Sequence, residues 1–199
     1  MTAALRYLED LGLADKHDWT LDDVAKLPED LRYELVDGKL APLPAPYPIH
    51  AWIARQTANA LDVHAPDDAF ISEETSVVIG ADSELRPDAV ALRFDGADRT
   101  PVFAEDVLLV VEVVSRSSNI SDRRFKPKRY AEAGIPLYWV IDPLGDAVVL
   151  TEYVLGEDGS YRHGHARGGR LELERPWPVS LDLDAWTARR DKVRAARRR

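Results

Sequence analysis

One stretch constrains this chain more than any other: Val107–Val114, V-L-L-V-V-E-V-V, set between Asp106 and Ser115. An apolar, valine-rich run of that length, bounded by polar residues, predicts a central strand buried on both faces. Alternation puts Val110, Glu112 and Val114 on one face and Val111, Val113 and Ser115 on the other. Glu112 is the anomaly. A carboxylate inside such a strand costs free energy unless it is paired, hydrogen-bonded or bound to a metal. It is therefore either a structural acid satisfied by an arginine or a backbone amide, or a functional group.

The other segments arrange themselves around this strand. Thr20 before L-D-D-V predicts a helix N-cap with acids in the first turn. Two short β-type runs around Asp37-Gly38 predict a hairpin. The prolines of 42–48 predict an extended loop, and residues 50–65 an amphipathic helix. Strands are expected at 69–71, 76–79 and 89–94, then at 137–141, 147–154, near Tyr161 and at 171–173. A helix is expected over 122–133, with Pro127 in its first turn and Gly134 ending it. If the strands on either side of that helix are parallel, it forms their crossover. The pattern predicts an α/β fold around a central mixed β-sheet flanked by helices.

Composition narrows the function classes. The 199 residues contain no cysteine, which excludes a disulfide framework, a thiolate zinc site and a cysteine nucleophile. No apolar run reaches the roughly 18–20 residues of a membrane span. The N-terminus lacks a basic-then-apolar signal pattern, so a cytoplasmic protein with no membrane partner is expected. Net charge is −9, with 26 Lys and Arg against 35 Asp and Glu. Residues 189–199 hold seven of those basic residues and one acid, which leaves the rest of the chain at −15. The tail is expected to be either a flexible, solvated end or a nucleic-acid arm. One domain over residues 1–188 is expected, with 1–18 as an N-terminal extension.

Two further residues join Glu112 as candidates for chemistry. Asp88 follows Arg86-Pro87 and opens the 89–94 strand, where it can point into a cleft, although Pro-Asp is also a turn dipeptide. Two carboxylates on neighbouring strands can hold a hard cation such as magnesium. Lys126 lies four residues after Asp122 and four before Tyr130, so the three share a helical face. Its ammonium either orients a metal-bound water or makes a surface pair with Asp122; Lys128 points elsewhere. Glu73 and Glu74 are expected to be solvated, His163 and His165 to be on the surface, and Trp139, Trp177 and Trp186 to pack in the core.

In order along the chain stand Y-E-L-V-D-G (33–38), His50, R-P-D (86–88), V-E-V-V-S (111–115), D-R-R-F-K-P-K-R-Y (122–130) and A-G-I-P-L-Y-W-V-I-D-P (133–143). From about Trp19 to Trp186 this string resembles the Uma-two family, described as putative restriction endonucleases within the PD-(D/E)XK nuclease superfamily. The resemblance implies a restriction-endonuclease-like core and magnesium-dependent hydrolysis of DNA phosphodiesters, with manganese as a substitute ion. It implies that Asp88 and Glu112 are the metal carboxylates, joined by the backbone carbonyl of Val113. Glu34 matches the family's first acidic position, taking a metal directly or through water. The superfamily's lysine, two residues after the acid, is replaced here by Val114; Lys126 fits the family's helical lysine. His50 matches a family histidine, which implies contact with a phosphate or a metal-bound water; a helix-capping or satisfied structural histidine is the alternative. Arg116, just past the strand, is a candidate substrate contact. A symmetric homodimer suits an enzyme that cuts both strands of a duplex. The competing function is a non-catalytic nucleic-acid- or protein-binding member of the same fold.

Overall fold

The computed structural model describes residues 16–28, 31–116, 118 and 120–196. In chain order these form α1 (Leu21–Val24), β1 (Tyr33–Val36), β2 (Lys39–Pro42), α2 (Pro48–Asp62), β3 (Ala69–Glu73), β4 (Val77–Gly80), β5 (Ser83–Leu85) and β6 (Ala89–Arg93). There follow β7 (Val102–Phe103), β8 (Val107–Val113), α3 (Lys126–Glu132), β9 (Leu137–Asp142) and β10 (Val149–Leu155). The chain then forms β11 (Tyr161–His163), β12 (Arg170–Leu173), β13 (Val179–Asp182) and α4 (Leu183–Ala196).

Local chemistry sets the first elements. Thr20 caps α1 by accepting from the Asp23 N–H at 3.2 Å, and Asp23 accepts from the Thr20 N–H at 3.0 Å. That reciprocal pair satisfies two donors the helix would otherwise leave open. The β1–β2 hairpin turns through Asp37 at φ 48° and Gly38 at φ 70°. Both lie in the left-handed region that the twist of a two-residue hairpin requires. The hairpin continues into a five-stranded sheet of order β2-β1-β5-β4-β7.

The larger sheet has the order β11-β10-β9-β8-β6-β3, in which β8 runs parallel to β9 and antiparallel to β6. Its central strand is β8, as its composition predicts. Leu109, Val111 and Val113 enter one core, against Ile53 and Leu61 of α2 and Leu183 and Trp186 of α4. Val110 and Val114 enter a second core, with Tyr130 of α3, Tyr138, and Val77, Leu85 and Val102 of the five-stranded sheet. The strand is buried on both sides because each face meets a separate apolar layer. The parallel β8–β9 pair needs a crossover, and α3 supplies it.

Three features differ from expectation. The helix expected from Asp122 begins as a π-helical turn, Ser121–Phe125, and becomes α-helical only at Lys126. Strands β5 and β7 carry too few residues for a periodicity to register, and β13, whose V-S-L-D does alternate, is not among the expected strands. The third concerns the C-terminal tail from residue 189, expected to be either a flexible, solvated end or a nucleic-acid arm. It is helical as far as Ala196, and Arg190 is 2% exposed. The guanidinium of Arg190 donates to the carbonyls of Pro143 and Gly145 at 2.9 and 3.0 Å and of Asp146 at 2.7 Å. Three converging carbonyls take the donors that water would otherwise take, so the charge is buried without being orphaned. Of the N-terminal extension 1–18, all but the last three residues lie outside the described residues, as do 197–199. No helix among the described residues is long and apolar enough to cross a membrane.

Candidate active site

Glu112 is 4% exposed and its Oε1 accepts two hydrogen bonds, from Lys126 Nζ at 2.8 Å and from the Tyr130 hydroxyl at 2.9 Å. Both donors come from α3, one turn apart, which is what the i, i+4 spacing of Lys126 and Tyr130 allows. The same ammonium donates to Glu34 Oε1 at 2.8 Å. Glu34 is held by β1, in the other sheet, and also accepts from the Arg86 N–H at 3.3 Å. Lys126 thus links two sheets and a helix through one buried cation. Asp122, fully buried, lies 3.7 Å from that ammonium through Oδ1. Its Oδ2 accepts from the Ser118 hydroxyl, and Oδ1 has no hydrogen-bond donor among the described residues.

The register places Asp88 beside this group. Ala89 pairs with Val111, so Asp88, one residue before the strand, stands next to Glu112. Its Oδ2 accepts from the Val113 N–H at 2.6 Å and lies 3.5 Å from His50 Nε2. His50 Nε2 also contacts the Val113 carbonyl at 2.6 Å, and as a carbonyl only accepts, that nitrogen is the donor. The carbonyl oxygen keeps a second lone pair. His50 sits in the first turn of α2, whose N-terminal end meets the C-terminal end of β8. A cavity of about 270 Å³ opens there, lined by His50, Ala51, Ala54, Glu73, Glu74 and Asp88. Glu73 and Glu74 are exposed, as expected, yet they line the approach to Asp88.

The electrostatics are those of a crowded acidic centre. Burial pushes the Glu112 carboxyl well up; Lys126 opposes the shift, and Asp122, Asp88 and Glu34 reinforce it. Burial raises Asp88 too, against the lowering effects of His50 and of the Val113 N–H. Asp122 is pushed up to about 6, mainly by burial, with Lys126 and the Ser118 hydroxyl opposing. Burial alone would lower Lys126, but Glu112, Glu34 and Asp122 overcome it and hold the ammonium charged.

Three carboxylates therefore share one buried ammonium, and Asp88 stands beside them as a fourth acid. A divalent cation suits this donor set, since it would offset the excess charge and take hard oxygen ligands. Asp88, Glu112 and the free lone pair of the Val113 carbonyl are the ligands on offer. Among the described residues no three His, Asp or Glu side chains are grouped at ligand spacing. Two carboxylates completed by a carbonyl and water is an ordinary magnesium arrangement, so the residues fit that ion.

Glu34, Asp88, Glu112, Lys126, His50 and the Val113 carbonyl are brought together as the motifs suggest. Arg116 is exposed beyond the end of β8. Lys128 is 76% exposed and pairs with Glu132, so only one lysine of K-P-K reaches the acids. Sequence reasoning left Asp122 and Tyr130 out of the site, although their shared face with Lys126 was legible. It also gave no role to Ser118, whose bond to Asp122 only the turn geometry creates. His163 and His165 line a separate open groove of about 1060 Å³, with Glu152, Arg162, Arg167 and Arg175. None of its lining residues belongs to the carboxylate cluster.

The backbone and the chain both have relatives. The structure is similar to that of a putative nuclease from Anabaena variabilis ATCC 29413, at 20% sequence identity and a TM-score of 0.65. That match covers 84% of this chain and 98% of the other. No curated protein matches the chain. The Uma2 family model, described as "Putative restriction endonuclease", matches residues 20–186. The matched region runs from the α1 cap to Trp186 of α4 and contains every member of the buried cluster: the chain belongs to the Uma2 family.

Proposed function

We propose that this protein is a magnesium-dependent endonuclease that hydrolyses DNA phosphodiester bonds with Glu34, Asp88, Glu112 and Lys126. The observation that carries the proposal is the Lys126 ammonium, 2.8 Å from both Glu34 and Glu112. Val114 cannot supply the cation that the superfamily motif places on the strand. The helix supplies it instead, at the carboxylate.

Asp88, Glu112 and the Val113 carbonyl would hold magnesium or manganese. When bound, the ion lowers the pKa of its water and offsets charge at a phosphoryl oxygen. Lys126, kept charged by its carboxylates, has three donors; one can turn from Glu34 to an attacking water or a phosphate oxygen without leaving Glu112. The Tyr130 hydroxyl fixes the Glu112 rotamer, and the Val113 N–H fixes that of Asp88. His50 bridges Asp88 and the Val113 carbonyl, and it lines the cavity through which a phosphate would enter. Glu34 holds the other side of the ammonium and would bind a second ion or take a proton from water. A symmetric dimer would present two such sites to the two strands of a duplex; sedimentation of the purified protein tests it.

Calorimetric titration of magnesium and manganese, with a plasmid cleavage screen, tests the proposal on wild type, Asp88→Ala and Glu112→Gln. Binding and cleavage in the wild type, both lost in the two variants while their circular dichroism is kept, is the expected result. Undiminished cleavage by Glu112→Gln would overturn the site. The acidic body and the self-contained Lys126 ion pairs favour the competing reading, a non-catalytic binding member of the fold. It predicts no metal-dependent cleavage by the wild type.

A further inference from the structure

The body of this protein repels polyanions, so a nucleic-acid strand reaching the carboxylates needs cationic guidance from somewhere. The C-terminal helix is rich in basic residues, and the fold holds it in one place. Arg190 is locked onto three carbonyls of the loop after β9. Arg194 adds a further bond to the Pro143 carbonyl at 2.8 Å. Thr187 accepts from the Val148 N–H at 2.9 Å, and Trp186 is buried in the core below. Helix α4 is fastened along much of its length.

The loop that receives Arg190 lies at the site end of the sheet. Glu112 pairs with Val140 and Val113 with Ile141, so residues 143–146 continue just beyond the level of Val113. β6, β8 and β9 are consecutive in the sheet, so this loop is only one to two strand spacings, about 5–10 Å, sideways from Glu112 and Asp88. α4 and α2 pack into the same core, on the same face of the sheet. The last turns of α4 and the His50 end of α2 therefore lie at the same end of the sheet, α4 on the face that carries Val111 and Val113. With Arg190 and Arg194 turned toward the body, Arg189 and Lys192, neighbours at i, i+3, are exposed and form no ion pair among the described residues.

We propose that Arg189 and Lys192 form a phosphate-binding track that holds the backbone of a DNA strand as it enters the carboxylate site. Arg190 is the positioning residue that aims it. Charge complementarity selects the occupant: a basic helix face at the carboxylate end of the sheet, in a chain that is −15 outside residues 189–199, fits a polyphosphate backbone. The choice of DNA as the polyanion rests on the nuclease function proposed above.

The test is the salt dependence of binding. A fluorescein-labelled duplex oligonucleotide is titrated with wild type and with Arg189→Ala/Lys192→Ala, in EDTA so that no cleavage occurs, over a series of KCl concentrations. Each lost phosphate contact removes about 0.9 from the slope of log K against log salt. The double variant should lower that slope by about 2 and weaken binding roughly tenfold at the lowest salt. It should keep wild-type magnesium binding and wild-type hydrolysis of bis(p-nitrophenyl) phosphate, a diester with no extended backbone. An unchanged slope and affinity in the double variant would overturn the track and leave the nuclease function standing. So would loss of magnesium binding in that variant, because residues that only hold the phosphate backbone leave the ion's ligands untouched. A wild type that binds duplex with the expected slope change but never cleaves would remove the nuclease function and keep the track. No salt-dependent binding by the wild type would overturn the track outright.

Discussion

Lys126 is the residue on which most of the buried charge depends. Removing one member of a buried pair leaves the other uncompensated, which costs about 3–5 kcal/mol. Lys126→Met leaves Glu34, Glu112 and Asp122 without their shared cation, and should destabilise the protein by about that much in urea unfolding at neutral pH. The loss should shrink in acid, because protonated carboxyls no longer repel. Asp122 gives a separate pH signature. Its carboxyl titrates near 6 in the folded chain against an ordinary 3.8, so between those values the folded state binds a proton that the unfolded state does not. Its contribution is therefore fully present below about pH 4 and is lost as pH rises through about 6. Two pKa units correspond to about 3 kcal/mol at most. Asp122→Asn should flatten this part of the stability–pH curve of the metal-free protein. An unchanged difference between wild type and variant across that window would mean that Asp122 is ionised in the fold. Of the buried cluster, Glu112 is legible from sequence because it interrupts a valine run. Glu34 is legible only through the family resemblance, since Y-E-L-V is ordinary alternation for a half-buried strand and only the second sheet makes it a partner of Lys126.

Among the elements, α4 and the π turn before α3 were hidden for different reasons. A basic terminal run reads as solvated because arginine is seldom buried, and only the three carbonyls of residues 143–146 make burial of Arg190 favourable. Arg190→Met would keep much of the apolar stem but leave those carbonyls without donors, at about 1–3 kcal/mol for each group left buried and unsatisfied. Hydrogen exchange should then accelerate in α4 and in the loop after β9, with β8 and β9 remaining protected. Uniform acceleration across the chain would instead mark α4 as part of the global folding unit. The π turn is the kind of one-turn irregularity found at functional sites. It buries Asp122 beside Ser118 while Lys126 and Tyr130 keep their α-helical spacing toward Glu112. The hairpin and the α1 cap were legible because both are fixed by neighbours in sequence, Asp37-Gly38 and Thr20-Asp23.

At the scale of the molecule, a site with four acids and one ammonium is a source of strain that a cation should relieve. A ligand that binds only the folded state raises stability by about 2.7 kcal/mol at a hundred times its Kd. Magnesium should therefore raise the unfolding temperature of the wild type by several degrees and leave Glu112→Gln unmoved. Equal shifts in both proteins would place the ion elsewhere, on the acidic surface. The charge division between body and C-terminal helix belongs to this scale too, because a polyanion is repelled by the one and attracted by the other.

The sequence by itself determined the α/β class, the central strand β8, the first cap and hairpin, and the acid and lysine motifs. Each of these depends on contacts a few residues apart or on the simple alternation of a buried strand. Tertiary structure decided the rest. The pairing of Ala89 with Val111 set Asp88 beside Glu112. The packing of one sheet against the other brought Glu34 to Lys126, and a loop of free carbonyls turned a basic tail into an anchored helix. Those outcomes depend on backbone groups and side chains far apart in the chain, whose meeting no local pattern encodes.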